Sequence, residues 1–154
     1  MMLMIKRAIF AILIIVNCIV IFNFSAQNSE KSTESSDVIV NKVVNTISHV
    51  RKKTKKDTLK KTVTVVVRKL AHFSIYALLG VWEMLLLNTF NLSVKQKILM
   101  CVIFGGLYAL SDEIHQNYVG GRSPEVRDVC IDTLGIFCGG MLGVAINKVF
   151  KFKK

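Results

Sequence analysis

The stretch "VCIDTLGIFCGGMLGVAINKV", residues 129–149, decides the class of fold. It is almost continuously apolar, and it is as long as a helix that crosses a bilayer, which needs about 20 residues. Gly135, Gly139 and Gly143 recur at every fourth position, a spacing that lets a second helix approach closely. Asp132 stands near the start of the stretch. We therefore predict a transmembrane helix that is packed against a neighbour and carries a carboxylate near one end.

Three further apolar runs lie upstream of this stretch. They are "AIFAILIIVNCIVIFNF" (8–24), "LAHFSIYALLGVWEMLLL" (70–87) and "ILMCVIFGGLYALS" (98–111). The 154 residues are 52% hydrophobic, with a mean hydropathy of +0.47, and long apolar runs are typical of membrane proteins. We predict a single all-α membrane domain over residues 1–154. Its four transmembrane helices are expected at about 7–24, 68–87, 97–115 and 127–149.

The first apolar run could also be a cleaved signal peptide, since Lys6 and Arg7 form a basic start. The run is long for a signal, and a cut after Ala26 would leave bulky Phe24 three residues before the cleavage site. These features favour a retained helix.

The segment 25–67 between the first two runs is polar and then basic. Val40, Val43, Val44, Ile47 and Val50 recur at helical spacing, and "RKKTKKDTLKK" (51–61) follows them. This pattern predicts an amphipathic helix that lies at the membrane interface. The net charge of +11 could also suit nucleic acid, but the chain carries no nucleic-acid-binding motif. We therefore expect membrane lipids as partners and no nucleic acid.

Positively charged residues next to the spans predict the orientation of the protein in the membrane, but two groups of them give opposite predictions. Lys6 and Arg7 at the start, with the lysines at the end, favour cytoplasmic termini. The basic segment 25–67 would then lie outside, which the distribution of positive charge opposes. Because the first helix usually dominates insertion, we expect the termini in the cytoplasm and the polar residues of the helix connections on the extracytoplasmic side.

Because successive spans alternate in direction, the four helix ends that carry dense polar clusters lie on one side of the membrane. Because charges at membrane depth cost a few kcal/mol each, they usually pair or line a wet cavity. We expect a polar pocket there, although simple ion pairs or headgroup anchors would also explain single residues. The expected lining residues are His72, Asp112, Glu113, His115, Gln116, Arg122, Arg127, Asp128 and Asp132.

The four cysteines, by contrast, lie inside apolar runs without the spacing of a zinc site. We expect them to be packing residues. The glycine stripe can pair with a helix of the same chain or of a second copy, so self-association through Gly135, Gly139 and Gly143 stays open.

Three segments together resemble the VanZ-like family of small bacterial membrane proteins: "FSAQNSEKS" (24–32), "RKLAHFSIYALLG" (68–80) and "LYALSDEIHQNYVGGRSPEVRDVCIDTLG" (107–135). The resemblance implies a four-helix protein of the bacterial cell membrane that is associated with reduced susceptibility to teicoplanin and related lipoglycopeptides. The lysine-rich composition is typical of a low-GC Gram-positive bacterium. Gly120 and Cys130 depart from the family pattern, which more often has proline and a larger aliphatic residue there. The family's motif positions fall on Arg68, His72, Tyr76, Asp112, Glu113, His115, Gln116, Gly121, Arg122, Asp128 and Asp132.

The resemblance supplies no catalytic mechanism, so two functions remain. The cluster could bind the headgroup of an envelope lipid or a lipid-linked cell-wall precursor, with Arg68, Arg122 and Arg127 on its phosphate. It could instead be an intramembrane enzyme that modifies such a lipid without an evident cofactor. The candidate base is then His72 or His115. Asp112, Asp128 and Asp132 would orient it or hold a divalent cation.

Overall fold

The computed structural model describes residues 1–26, 40–44, 46, 56–118 and 125–150. Within these ranges the chain forms α-helices and no strand. Each long helix has the length and hydropathy of a membrane span, which confirms the all-α class and the four predicted transmembrane helices. The helices are α1 (Met2–Ser25), α2 (Lys56–Leu87), α3 (Val94–Asn117) and α4 (Val126–Phe150).

The bundle exposes apolar side chains and buries several polar ones, which is the arrangement expected in lipid. Ile12, Leu99 and Phe104 are largely exposed on the outside of the bundle, whereas Asn17 and Asp112 are buried inside it. Lipid tails solvate exposed apolar groups, but a polar group at membrane depth needs a protein partner. The four helices therefore form a multi-pass membrane protein.

Helix α2 starts at Lys56, well before the predicted start at residue 68. Its 32 residues span about 48 Å at 1.5 Å per residue, which exceeds a hydrocarbon core of about 30 Å. The stretch 56–67 contains neither proline nor glycine, so nothing in it ends the helix that the apolar run begins. Part of the predicted basic segment is thus a continuous extension of the second span.

Only part of the predicted amphipathic segment falls within the described residues. Residues 40–44 and 46 are helical, and Val40 and Val44 are buried against Val63 of the α2 extension. This apolar face therefore packs on protein. The residues 27–39, 45 and 47–55, which include Ile47 and Val50 of the predicted stripe, lie outside the described part of the chain.

The glycine stripe of α4 packs against α2 of the same chain. A β-carbon at Gly135 would lie 2.6 Å from the carbonyl oxygen of Phe73, and one at Gly139 would overlap the carbonyl of Ala77. On the facing helix, a β-carbon at Gly80 would overlap the carbonyl of Ile136. The backbones touch because side chains are missing at these positions. The stripe offered for self-association is therefore already covered within the chain.

Candidate functional site: a polar cavity at one end of the bundle

A cavity of about 210 Å³ lies between α2, α3 and α4, at the end of the bundle where α1 and α3 finish and α4 begins. Two apolar side chains line it, from Val65 and Ile131. The other lining residues are polar or ionisable: Arg68, Lys69, His72, Glu113, Gln116, Glu125, Asp128 and Asp132. The end of a membrane bundle thus carries a concave site whose chemistry is set by charge.

His72 of α2 and Asp132 of α4 face each other across the cavity. The Nδ1 atom of His72 lies 3.8 Å from Oδ2 of Asp132, which is longer than a hydrogen bond. The carboxylate is almost fully buried, whereas the imidazole is partly exposed to the cavity. A small movement of either side chain would complete a hydrogen bond that orients the imidazole, and catalytic contacts are often loose without substrate.

Beneath the cavity, Asp112 ties three helices together through its carboxylate. Its Oδ2 atom accepts hydrogen bonds from Ser25 Oγ at 2.7 Å, Tyr76 OH at 3.1 Å and Gln116 Nε2 at 3.0 Å. The Gln116 amide also donates to Ser25 Oγ at 3.1 Å. All four residues are buried. Because their donors converge on one carboxylate, Asp112 is a structural centre that supports the cavity floor.

The mouth of the cavity is held by an ion-pair network. Lys69 Nζ bonds to Asp128 Oδ1 and lies 3.4 Å from Glu125 Oε2, which Arg127 also contacts at 3.1 Å. The side chains of Arg127 and Lys69 lower the pKa of Glu125 below its usual range by hydrogen bonding and charge. The backbone N–H of Glu125 donates to Glu113 Oε1 at 2.6 Å. This last bond ties the start of α4 to the end of α3.

Arg68 stands apart from this network. Its side chain lines the cavity and is half-buried, yet it forms no hydrogen bond or ion pair with any residue in the described ranges. A guanidinium presents a rigid fork of donors that matches a phosphate or carboxylate. The cavity thus contains one cation that is available to an anionic group.

Comparison of the sequence with models of known protein families gives a match. The family model described as VanZ/LLP1 matches residues 10–149, nearly the whole chain. The chain belongs to the VanZ/LLP1 family. This confirms the resemblance drawn from the sequence. No curated protein and no solved structure matches it.

The structure distributes the motif residues of this VanZ/LLP1 chain over three places. Six of them line the cavity: Arg68, His72, Glu113, Gln116, Asp128 and Asp132. Tyr76 and Asp112 lie directly beneath it. His115 turns away, because its ring stacks on Phe22 of α1 with centroids 4.5 Å apart.

Of the two remaining predicted arginines, the structure describes only Arg127, which does not line the cavity. The Arg127 side chain is 75% exposed and reaches outward to Glu125. Arg122, like its neighbour Gly121, lies outside the described residues. Among the arginines that the structure describes and for which a phosphate contact was predicted, only Arg68 lines the cavity.

Sequence reasoning missed Lys69 and Glu125 as cavity residues, and Ser25 as a partner of Asp112. The signal for Lys69 was present, because residues 69, 72 and 76 share one helical face at spacings of three and four. Glu125 carried no such signal. It lies just before the first residue of α4, where helical spacing does not determine the direction of a side chain.

The chemistry available to this VanZ/LLP1 cavity is ionic and hydrogen-bonding. Within the described ranges, no three His, Cys, Asp or Glu residues are placed to hold a metal ion. The four cysteines are free, and Cys101 is buried in the core next to Glu83, whose Oε2 lies 3.4 Å from its Sγ.

Proposed function

We propose that the cavity binds the polar headgroup of an envelope lipid or of a lipid-linked cell-wall precursor. The observation that carries this proposal is the guanidinium of Arg68, which has no partner among the described residues and lines a charged cavity at one end of a transmembrane bundle. Headgroups with a phosphate reach this depth of the membrane, and arginine is well suited to bidentate contact with phosphate. Lys69 cannot serve equally, since Asp128 and Glu125 already engage it.

We further propose that this binding lowers susceptibility to teicoplanin and related lipoglycopeptides, as family membership suggests. Such drugs hold a membrane anchor and a cell-wall target at the same time, so their affinity depends on both contacts together. A protein that occupies or redistributes headgroups would weaken one of the two contacts. The effect should therefore be larger for teicoplanin than for vancomycin, which lacks the lipid anchor.

This function requires the cavity to open on the extracytoplasmic side of the bacterial cell membrane, with both termini in the cytoplasm. The basic residues Lys6 and Arg7 at the start of α1 support that orientation. Arg7 also bonds the α2–α3 connection through Thr89, so this basic end of the bundle is held together as one surface.

The contact between His72 and Asp132 favours a second candidate, an intramembrane enzyme that modifies an envelope lipid. An imidazole titrates near neutral pH, and a buried carboxylate 3.8 Å away would orient it as a general base. In this case Arg68 would stabilise the charge that develops on a phosphate.

The experiment compares teicoplanin and vancomycin susceptibility in a sensitive Gram-positive host. The strains carry vector, wild type, Arg68→Gln, His72→Ala, Asp132→Asn or Lys95→Gln at matched membrane levels. Lys95→Gln is the control, because it removes one charge from an exposed site near the opposite end of the bundle.

Selective protection against teicoplanin by wild type and Lys95→Gln, but not by Arg68→Gln, is the expected result. Complete loss in both His72→Ala and Asp132→Asn, with Arg68→Gln only weakened, would favour the enzyme. An absence of protection by wild type would refute the link to teicoplanin.

A further inference from the structure

The charges that line the cavity indicate which kind of headgroup it accepts. The cationic side chains are Arg68 and Lys69, and the carboxylates are those of Glu113, Glu125, Asp128 and Asp132. Leaving His72 out, the two basic and four acidic side chains carry a formal charge of 2 − 4 = −2, and Arg127, which pairs with Glu125, brings this to −2 + 1 = −1. A headgroup that carries only negative charge would leave the excess of carboxylates in this lining without a partner. A ligand that also carries positive charge fits the lining better.

The ion pairs among the described residues leave two carboxylates of the cavity without a lysine or arginine partner. Lys69 engages Asp128 and Glu125, and Arg127 also pairs with Glu125, so the charges of these four residues cancel. Glu113 and Asp132 have no lysine or arginine partner among the described residues, and they are only 7% and 4% exposed. A buried carboxylate is costly unless it is paired. Both carboxylates line the cavity, so a ligand cation placed there would meet this need.

The required cation is a primary ammonium. An ammonium offers three N–H donors, whereas a quaternary ammonium has none and is usually held by a cage of aromatic rings. Among the lining residues there is no phenylalanine, tyrosine or tryptophan. The carboxylate oxygens of Glu113 and Asp132 can accept hydrogen bonds from the ammonium N–H groups directly. The oxygen of the Gln116 side-chain amide can do the same.

The volume limits the size of the headgroup. About 210 Å³ corresponds to roughly seven water molecules at about 30 Å³ each, and it is below the range of about 300–1,000 Å³ typical of pockets for drug-sized ligands. A phosphate with a two-carbon amine, about eight non-hydrogen atoms, suits such a space. The sugar–peptide headgroup of a cell-wall precursor is larger than this volume and would have to extend out of the cavity.

Resting on the proposed headgroup binding, we propose that the cavity recognises a phospholipid headgroup that carries both a phosphate and a primary amine. The phosphate contacts Arg68, and the ammonium enters between Glu113 and Asp132. Binding supplies the cation that the two buried carboxylates lack and the anion that the free guanidinium lacks. Phosphatidylethanolamine is the simplest lipid of this class.

The test measures binding of short-chain lipids to the purified full chain in detergent by isothermal titration calorimetry. The probes are the dihexanoyl forms of phosphatidylethanolamine, phosphatidylcholine and phosphatidylglycerol, together with soluble phosphoethanolamine. We expect the ethanolamine lipid to bind about tenfold more tightly than the other two lipids, because only it forms charge-assisted hydrogen bonds at both ends. Soluble phosphoethanolamine should bind more weakly, since it has no acyl chains to enter the apolar phase.

Variants locate the two ends of the ligand. Glu113→Gln keeps an acceptor for the Glu125 N–H but removes the charge, so it should weaken the ethanolamine lipid about tenfold and leave phosphatidylglycerol unchanged or tighter. Arg68→Gln should weaken all phosphate-bearing probes. Lys95→Gln should match wild type, and thermal unfolding of each variant checks that it is folded.

Each other outcome has a definite meaning. Equal binding of phosphatidylethanolamine and phosphatidylglycerol would overturn the amine site and leave headgroup binding intact. Soluble phosphoethanolamine that binds as tightly as the lipid would make the ligand a free metabolite and overturn the lipid assignment. If no probe binds, the inference is wrong, while the susceptibility assay in cells still decides the teicoplanin proposal independently.

Discussion

The two ends of the bundle hold similar side chains but use them differently. At the end with the α2–α3 connection, Arg7 donates to the backbone oxygen and the hydroxyl of Thr89 at 3.0 and 3.1 Å, and its guanidinium lies 4.2 Å from the Phe90 ring centroid. At the cavity end, Arg68 faces an open space without a partner in the described part of the chain. Arg7 therefore stabilises the fold, whereas Arg68 has no partner among the described residues and lines the cavity.

The same contrast holds for the other polar groups. Lys97 Nζ donates to Asn88 Oδ1 at 3.2 Å, and Ser93 with Gln96 forms a capping box at the start of α3. At the cavity end, Glu113 and Asp132 are buried without a lysine or arginine partner among the described residues. Charge by itself therefore does not mark a site in this chain. Within the described part of the chain, the cavity end differs from the opposite end by having buried carboxylates without a lysine or arginine partner.

The largest effect on stability is expected from a substitution that pushes apart two of the helices that form the cavity. Gly139→Ala would force a β-carbon into the carbonyl of Ala77, so α4 must move away from α2. We expect a loss of about 3 kcal/mol or more of unfolding free energy, as for severe overpacking. Thermal unfolding in detergent measures it.

Gly106→Ala is the matched control, because its β-carbon would lie 3.6 Å from Thr133 Oγ1, an ordinary contact. It should unfold within about 0.5 kcal/mol of wild type. Equal stability of the two variants would contradict the close α2–α4 packing.

The next largest effect is expected beneath the cavity, at Asp112. Asp112→Ala would leave the buried donors of Ser25, Tyr76 and Gln116 without their common acceptor, at about 1–3 kcal/mol for an unsatisfied group. Tyr76→Phe removes a single donor and should cost about 1 kcal/mol. Chemical denaturation of both variants tests this order. If Tyr76→Phe were the more damaging of the two, the carboxylate would not be the centre of the network.

Replacing each of the two arginines in turn tests whether they have different roles. Arg7→Gln should lower the unfolding free energy by about 1–2 kcal/mol, because it loses hydrogen bonds and a cation–π contact, yet it should still protect against teicoplanin at matched protein level. Arg68→Gln should do the reverse, with stability within about 0.5 kcal/mol of wild type and no protection. Parallel thermal unfolding and susceptibility assays measure both variants. Loss of protection in Arg7→Gln would remove the distinction between the two ends.

The smallest effect is expected from pH at the mouth of the cavity. Because the pKa of Glu125 is lowered in the folded protein, its contribution to stability is present above the ordinary glutamate pKa of about 4.3. That contribution is lost as the pH falls through the lowered value. The melting temperature of wild type should therefore fall towards that of Glu125→Gln on acidification. The difference should also shrink in high salt, since this carboxylate is exposed. A difference that grows on acidification would contradict the assigned ion pairs.

The sequence by itself determined the class of fold, the number of helices and the end at which the polar residues gather. Run length against bilayer thickness predicts each span, and because successive spans alternate in direction, the connections 25–67 and 116–126 lie on one side. The stripe of Gly135, Gly139 and Gly143 predicted close helix packing. These properties depend only on distances along the chain, so spacing was enough.

The tertiary structure alone decided which side chains form the cavity. Spacing placed His115 near Asp112 on α3, but the rotation of α3 directs that imidazole to Phe22 of α1 and leaves Glu113 facing α4. Likewise, Lys69 pairs with Asp128, while its neighbour Arg68 has no such partner in the described ranges. A residue's position on its own helix follows from the sequence. Its partner depends on how that helix is rotated against the others, because packing fixes the rotation through contacts between residues that are distant along the chain.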